Sequence, residues 1–208
     1  MLLILQIPHP IIAHPLFCSM GFDTMDKKER AMNYLAKILT SGAIRETPKR
    51  VIEAIANEVT ITDQTIILEA GAGQGEITQA ILDKNKDATD LTYYAFEIDE
   101  ESCQHLSHNF PDIILKQNSV FDFEQYIPEE QQLDYFISSI PLSFYKNEVL
   151  DTFLEKVETR LKPGGKLIII FTAAWLLPLF KKHFPHLISQ TFLTFPPYFM
   201  IVAGKENK

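Results

Sequence analysis

The spacing of apolar positions changes several times along the chain, and each change predicts an element. Between Asp26 and Ser41, the residues Ala31, Tyr34, Leu35, Ile38 and Leu39 recur at helical spacing, and Gly42 follows where a helix stops. A second amphipathic helix is expected with Thr47 as its N-cap and Pro48 in its first turn, because Val51, Ile52, Ile55, Ala56 and Val59 then share a face. At 65–70 the pattern becomes a short apolar run, the mark of a buried strand, followed by a glycine-rich turn and a helical stretch over about 76–84. The alternation repeats as strand 91–97, helix 100–109, strands 112–116 and 133–140, helix 147–161 and strand 166–172. Lys162-Pro163-Gly164-Gly165 reads as a turn that ends a helix and launches the strand after it. A short helix near 175–183, a weak strand near 187–195 and a last strand 198–203 complete the pattern. Strands that alternate with helices imply a mostly parallel sheet covered on both faces, an α/β architecture. No repeat, low-complexity stretch or linker interrupts it, so 26–208 is expected to be a single domain, with helices over 26–60 and the core over 61–208.

The first 25 residues do not fit this pattern. MLLILQIPHPIIAHPLF is apolar, but Pro8, Pro10 and Pro15 interrupt it and the first cation is Lys27, so neither a signal peptide nor a bilayer span is indicated. An apolar extension that packs on the domain is expected, or a translation start at Met20 or Met25. At 208 residues with 46% apolar side chains, the chain has enough material for a core without metals or disulfides, and Cys18 and Cys103 show no ligand spacing. The formal net charge of -8 argues against a protein that binds by neutralising phosphates, so a nucleic-acid partner is disfavoured. None of the six histidines pairs with carboxylates at metal-ligand spacing, and no metal is assigned. The reducing cytoplasm is the expected compartment.

Three of the eight glycines fall in Gly71-Ala72-Gly73-Gln74-Gly75, directly between a strand and a helix. Glycines there let the backbone turn sharply and approach a ligand, while the helix offers its first amides. A nucleotide-like ligand is expected. The dinucleotide fingerprint places its third glycine where Glu76 stands, and the Gly-Lys-Ser/Thr of phosphate-binding loops is absent. What remains is an acidic residue, Glu69, ending the strand before Gly-x-Gly-x-Gly. Here the chain resembles the class I S-adenosylmethionine-dependent methyltransferases, which have a doubly wound, Rossmann-like, mostly parallel seven-stranded sheet; two N-terminal helices would precede it in this chain. The resemblance implies S-adenosylmethionine as cofactor, held by Glu69, Gly71, Gly73 and Gly75. Glu97 and Ile98, at the end of the second strand, would meet the ribose hydroxyls, and Asn118 and Ser119 would lie at the adenine. Ser138 ends the strand that carries the fourth motif.

That motif bears on the acceptor. The layout also resembles, more distantly, the ribosomal RNA adenine dimethyltransferases, whose fourth motif reads Asn-Leu-Pro-Tyr. Here Ser139-Ile140-Pro141-Leu142 lacks both the amide that holds a base amine and the ring that stacks on it, although Phe144 or Tyr145 offers a substitute ring. A better resemblance is to the bacterial phospholipid N-methyltransferases, which act on phosphatidylethanolamine, and to related ornithine-lipid enzymes. It rests on Gly42-Ala43-Ile44 leading into the second helix, on 138–142, and on Thr194-Phe195-Pro196-Pro197. It departs at Glu46-Thr47-Pro48, where that family has Pro-Ser-Ser. The resemblance implies methyl transfer to the amine of a phospholipid or aminolipid headgroup, with Ser139, Ile140, Pro141 and Leu142 as the floor beneath the acceptor. Such transfer needs orientation and exclusion of water rather than a nucleophile, and aromatic rings can hold cationic products. Tyr34, Tyr145 and Tyr198 are the candidates for deprotonation and cation holding. Weak peripheral membrane contact through the 26–41 helix, or through Trp175, Leu176, Leu177, Leu179 and Phe180 beside Lys181 and Lys182, is the companion expectation. Small-molecule methylation and a cofactor-binding domain without turnover remain open. The oligomeric state is not legible.

Overall fold

The computed structural model describes residues 47–86, 88 and 90–205. The apolar extension, the helix expected over 26–41 and Tyr34 lie outside them. The described residues form seven strands in one sheet, with helices on both faces: α1 (Lys49–Glu58), β1 (Thr65–Ala70), α2 (Glu76–Lys84), β2 (Leu91–Glu97), α3 (Glu100–Asn109), β3 (Ile114–Gln117), β4 (Leu133–Ser138), α4 (Asn147–Arg160), β5 (Leu161–Phe171), α5 (Leu177–His183), β6 (Ile188–Phe192) and β7 (Tyr198–Gly204). The strand order is β3-β2-β1-β4-β5-β7-β6, with β7 antiparallel to both neighbours and every other pairing parallel. The expected α/β sheet is therefore present.

Successive residues of the central strands feed opposite cores, as a sheet buried on both faces requires. Ile67, Ile137 and Ile168 pack under α1 and α2 with Val51, Ile55, Ile77 and Ile81. Leu68, Phe136 and Ile169 pack on the other face against Leu150, Phe153, Leu154 and Val157 of α4. Phe123, from the 3-10 turn Val120–Gln125, meets Phe136 and Phe153 edge to face at 5.6 and 6.5 Å, an arrangement that aromatic quadrupoles favour.

Three local expectations are corrected. Pro48 is itself the N-cap of α1 with an extended ψ of 137°, so Thr47 precedes the cap and no side chain caps the helix. The 162–165 stretch belongs to β5: the pairing with β4 jumps from Leu133↔Leu161 to Tyr135↔Lys166, Gly164 N–H donates to the Lys205 carbonyl just past β7, and Lys205 N–H donates back to the Gly165 carbonyl, each at 2.9 Å. It is a bulge within a paired strand rather than a turn ahead of one. In the 175–180 patch, Leu176 and Phe180 are buried, which leaves Trp175 as its exposed apolar residue.

Candidate cofactor and acceptor site

From β1 the chain runs outward through β2 and β3, then crosses back to place β4 on β1's other side. The carboxyl ends of β1 and β4 thus flank a switch point, where open α/β sheets bind their ligands. The glycine loop leaves β1 there. Gly71 and Ala72 donate to the Phe96 carbonyl of β2 at 2.8 and 3.2 Å, and Gly75 donates to Ala72 at 2.9 Å. All three glycines have left-handed φ values of 76°, 56° and 92°, which L residues adopt only at a cost. Their surroundings differ. A methyl group on Gly71 would meet Ile140 Cγ2 at 2.7 Å, and one on Gly75 would meet Phe110 Cε2 at 2.3 Å. At Gly73 the nearest atom would be a Glu76 carboxylate oxygen at 3.7 Å. Gly73 is the open glycine, where a ligand can approach the backbone.

The acidic residues divide the work. Glu97 accepts from Gly73 N–H at 2.8 Å through Oε2, and from Ile98 and Asp99 N–H at 2.7 and 2.9 Å through Oε1. Its carboxylate therefore fixes both the glycine loop and the start of α3, and of about four acceptor directions roughly one stays unused. Glu69 is fully buried. Thr78 and Tyr93 hydroxyls donate to its Oε2 at 2.5 and 2.7 Å, while Oε1 has no partner among the described residues. Burial, which disfavours the charged form, pushes its pKa up to about 7; the two hydroxyl hydrogen bonds pull the other way.

At β4's end, Ser138 has a buried hydroxyl with no partner among the described residues. The Ser139 hydroxyl donates to the Gly71 carbonyl at 2.7 Å, and its N–H donates to Ala70 at 3.1 Å. Ile140 lies against Gly71, Pro141 opens the 3-10 turn Leu142–Phe144, and Leu142 is buried in the core. At β3's end, Asn118 accepts from Ser119 N–H at 2.8 Å and donates its amide to the Tyr126 hydroxyl. The Ser119 hydroxyl caps the following turn by accepting from Phe121 N–H at 3.4 Å. Sequence reading did not find Tyr126, whose ring also meets Phe96 edge to face at 5.8 Å, because nothing in its spacing marks it.

The loop, Glu97, Asn118 and the Ser138 stretch thus converge on one edge. The two expected tyrosines among the described residues do not share a cluster. Tyr145 packs on Phe121 at 4.4 Å over the α4 face, and Tyr198 packs with the α1 and α2 face on the other side of the sheet. Burial raises the pKa of the Tyr145 hydroxyl, so it stays protonated at neutral pH. Among the described residues, no group of His, Cys, Asp and Glu is arranged to hold a metal ion.

Residues 68–167, which hold the loop, Glu97, Asn118 and the fourth motif, match a family model described as a methyltransferase domain. Over that stretch the chain is similar to methyltransferase domains. Its fold is that of the class I enzymes, as solved structures show. An rRNA methylase from Streptococcus thermophilus is 17% identical, with 78% of this chain covering 99% of that one at a TM-score of 0.55. Precorrin-6y C5,15-methyltransferase from Geobacter metallireducens is 14% identical, with coverages of 77% and 90% and a TM-score of 0.58. A Streptococcus mutans protein described as a methyltransferase, solved in complex with S-adenosylhomocysteine, is 17% identical, with coverages of 77% and 99% and a TM-score of 0.55. No curated protein sequence matches the chain.

S-adenosylmethionine is the cofactor of this fold, and the residues present fit it. Gly73 is open to a close approach, Glu97 keeps acceptor capacity beside it, and Ser138 holds an unpartnered hydroxyl at the switch point.

Proposed function

We propose that the enzyme transfers a methyl group from S-adenosylmethionine to an amine nitrogen, and that the amine belongs to a phospholipid or aminolipid headgroup such as phosphatidylethanolamine. The observation that carries this reading is how the fourth motif spends its polar groups. The Ser139 hydroxyl and N–H are both committed to backbone carbonyls, that of Gly71 in the glycine loop and that of Ala70 at the end of β1, and Leu142 is in the core. What 139–142 leaves for an acceptor is the aliphatic surface of Ile140 and Pro141. Such a floor has no side-chain amide and no ring with which to read a base edge. It suits an amine carried on a flexible headgroup whose recognition lies elsewhere.

The cofactor supplies an electrophilic methyl group on a sulfonium. Gly71, Gly73 and Gly75 give the backbone cradle, Glu97 and Ile98 the ribose contacts, and Asn118 and Ser119 the adenine side, with Glu69 and Ser138 lining the methionine side. Ile140 and Pro141 exclude water and align the neutral amine, so orientation supplies the acceleration. Tyr145, held as a neutral phenol, is suited to donate or accept a hydrogen bond rather than act as a base. Tyr198, and Tyr34 from the undescribed part of the chain, complete the proposed acceptor set. This acceptor would place the enzyme on the cytoplasmic side of a membrane as a peripheral protein; no described helix is long and apolar enough to cross one.

The test is transfer of label from methyl-labelled S-adenosylmethionine to lipid extract, ribosomal RNA and soluble amines in parallel. Label should enter the organic phase and fall on the order of tenfold to a hundredfold with Glu97→Ala, the loss of a set of hydrogen bonds to a charged group. Label confined to RNA or to soluble amines overturns the lipid reading.

A further inference from the structure

Large apolar side chains that reach solvent are distributed very unevenly. Among the described residues, five of the seven gather where β4, β5 and the β6–β7 turn meet the carboxyl edge: Phe144, Val149, Trp175, Leu193 and Phe195. Phe144 closes the turn after β4, and Val149 lies in the first turn of α4. Trp175 follows the end of β5. Leu193 and Phe195 lie in the turn that joins Phe192 to its partner Tyr198, and the adjoining Phe199 pairs with Phe171 at the end of β5. Exposures of 50% for Phe144, 73% for Trp175, 85% for Leu193 and 91% for Phe195 are those of side chains pointing outward. Scattered exposed apolar residues are ordinary, but a cluster on one edge marks an interaction surface.

Charge indicates what meets it. Lys49 and Arg50 open α1 beside this rim, and the Arg50 guanidinium donates to the Leu193 carbonyl. Lys146 is the N-cap of α4 between Phe144 and Val149, with the exposed acid Glu148 in the same first turn, and exposed Glu53 follows Lys49 and Arg50 along α1. The other half of the same edge, where the cofactor loops lie, carries the acids Glu76, Glu97, Asp99, Glu100 and Glu101. Cations interleaved with aromatic and aliphatic tips, on a chain of net charge -8, complement an interface of anionic headgroups above acyl chains.

We propose that the rim formed by Phe144, Val149, Trp175, Leu193 and Phe195, flanked by Lys49, Arg50 and Lys146, is the surface by which the enzyme docks on an anionic lipid membrane, with the acceptor half of the site facing the bilayer. The docking rests on the reading that the acceptor is a lipid amine, and it fixes the orientation in which that amine arrives.

Trp175 is the only tryptophan in the chain, so its emission reports on the rim directly. The full chain is titrated with vesicles of phosphatidylglycerol and phosphatidylcholine, and with phosphatidylcholine alone. The expected result is a blue shift on anionic vesicles at about tenfold lower lipid concentration than on zwitterionic ones. Leu193→Ser combined with Phe195→Ser should weaken it by at least about tenfold, since two interfacial apolar contacts are lost. Emission that no vesicle changes overturns the proposal, whether it starts red or already blue; the second outcome shows that the rim is covered by the rest of the chain or by another copy. Label transfer in detergent micelles separates the two readings. Lipid methylation in micelles without vesicle binding overturns docking alone, whereas docking without labelled lipid upholds this surface and overturns the lipid acceptor.

Discussion

Gly73 and Gly75 share a left-handed backbone but answer to different neighbours. Alanine at Gly75 meets Phe110 and Leu106 of α3's core, so conformational cost and overpacking add to a loss of about 2–5 kcal/mol in unfolding free energy. Alanine at Gly73 meets only the conformational cost, about 1–2 kcal/mol, because the space is open. Chemical denaturation should therefore separate the two, while Gly73→Ala should weaken S-adenosylmethionine binding at least about tenfold in calorimetry, since the methyl fills the approach. The Gly-x-Gly-x-Gly spacing announced the loop. It did not distinguish the glycines, because Phe110 and Ile140 reach them only through the fold. Glu69 makes a second residue-scale case. Its pKa rises from an ordinary 4.5 to about 7, so the folded chain keeps a proton that the unfolded chain has already lost between those values. Stability must then fall as pH rises through that window, by about 3 kcal/mol in the limit of full burial, and level off above it. The difference in unfolding free energy between wild type and Glu69→Gln, followed from pH 4.5 to 8, should shift against wild type by that order. A flat difference would show that the carboxyl is already ionised or already hydrated in the fold.

At the scale of elements, the alternation of strand and helix was legible because strands buried on both faces are continuous apolar runs and the helices are amphipathic. The bulge in β5 was not. Pro163-Gly164-Gly165 carries the composition of a turn, and only its pairing with Lys205 from the far end of the chain keeps it in the sheet. The two glycines serve it differently. Gly164 has a φ of 78° and nothing near its added methyl, whereas a methyl on Gly165 would lie 2.8 Å from the Leu133 carbonyl oxygen and 3.0 Å from that of Lys162. Asparagine tolerates the left-handed region, so Gly164→Asn should cost under about 1 kcal/mol. Gly165→Asn should cost roughly 1–3 kcal/mol, because backbone rather than a flexible side chain must yield. Thermal unfolding of the pair checks this, and equal losses would mean that the bulge re-forms around either residue. The α1 start was misread for a related reason. Thr47-Pro48 has the composition of a cap followed by a first turn, yet Pro48 keeps an extended ψ and takes the cap position itself.

At the scale of the molecule, net charge and local charge make opposite predictions for the same measurement. A chain of net charge -8 is repelled by an anionic bilayer at long range, and added salt, by screening that repulsion, would strengthen binding governed by the whole. Binding governed by the rim has the other sign. Lys49, Arg50 and Lys146 lie beside the exposed aromatic tips and outnumber the rim's own acids, Glu53 and Glu148, whereas Glu97, Glu100 and Glu101 belong to the cofactor half of the edge. With a screening length of about 10 Å near 0.1 M salt, the surface charges nearest the headgroups dominate. Each cation held near the surface contributes about 1 kcal/mol. Partitioning onto phosphatidylglycerol vesicles should accordingly weaken several-fold as salt rises from about 0.05 to about 0.3 M, and Lys49→Glu with Arg50→Glu should remove most of that dependence. Methylation of a soluble amine by the same double variant should hold, because neither side chain belongs to the cofactor loop or the fourth motif. Binding that strengthens with salt would assign the dominant field to the acidic cofactor half and turn the rim away from the membrane.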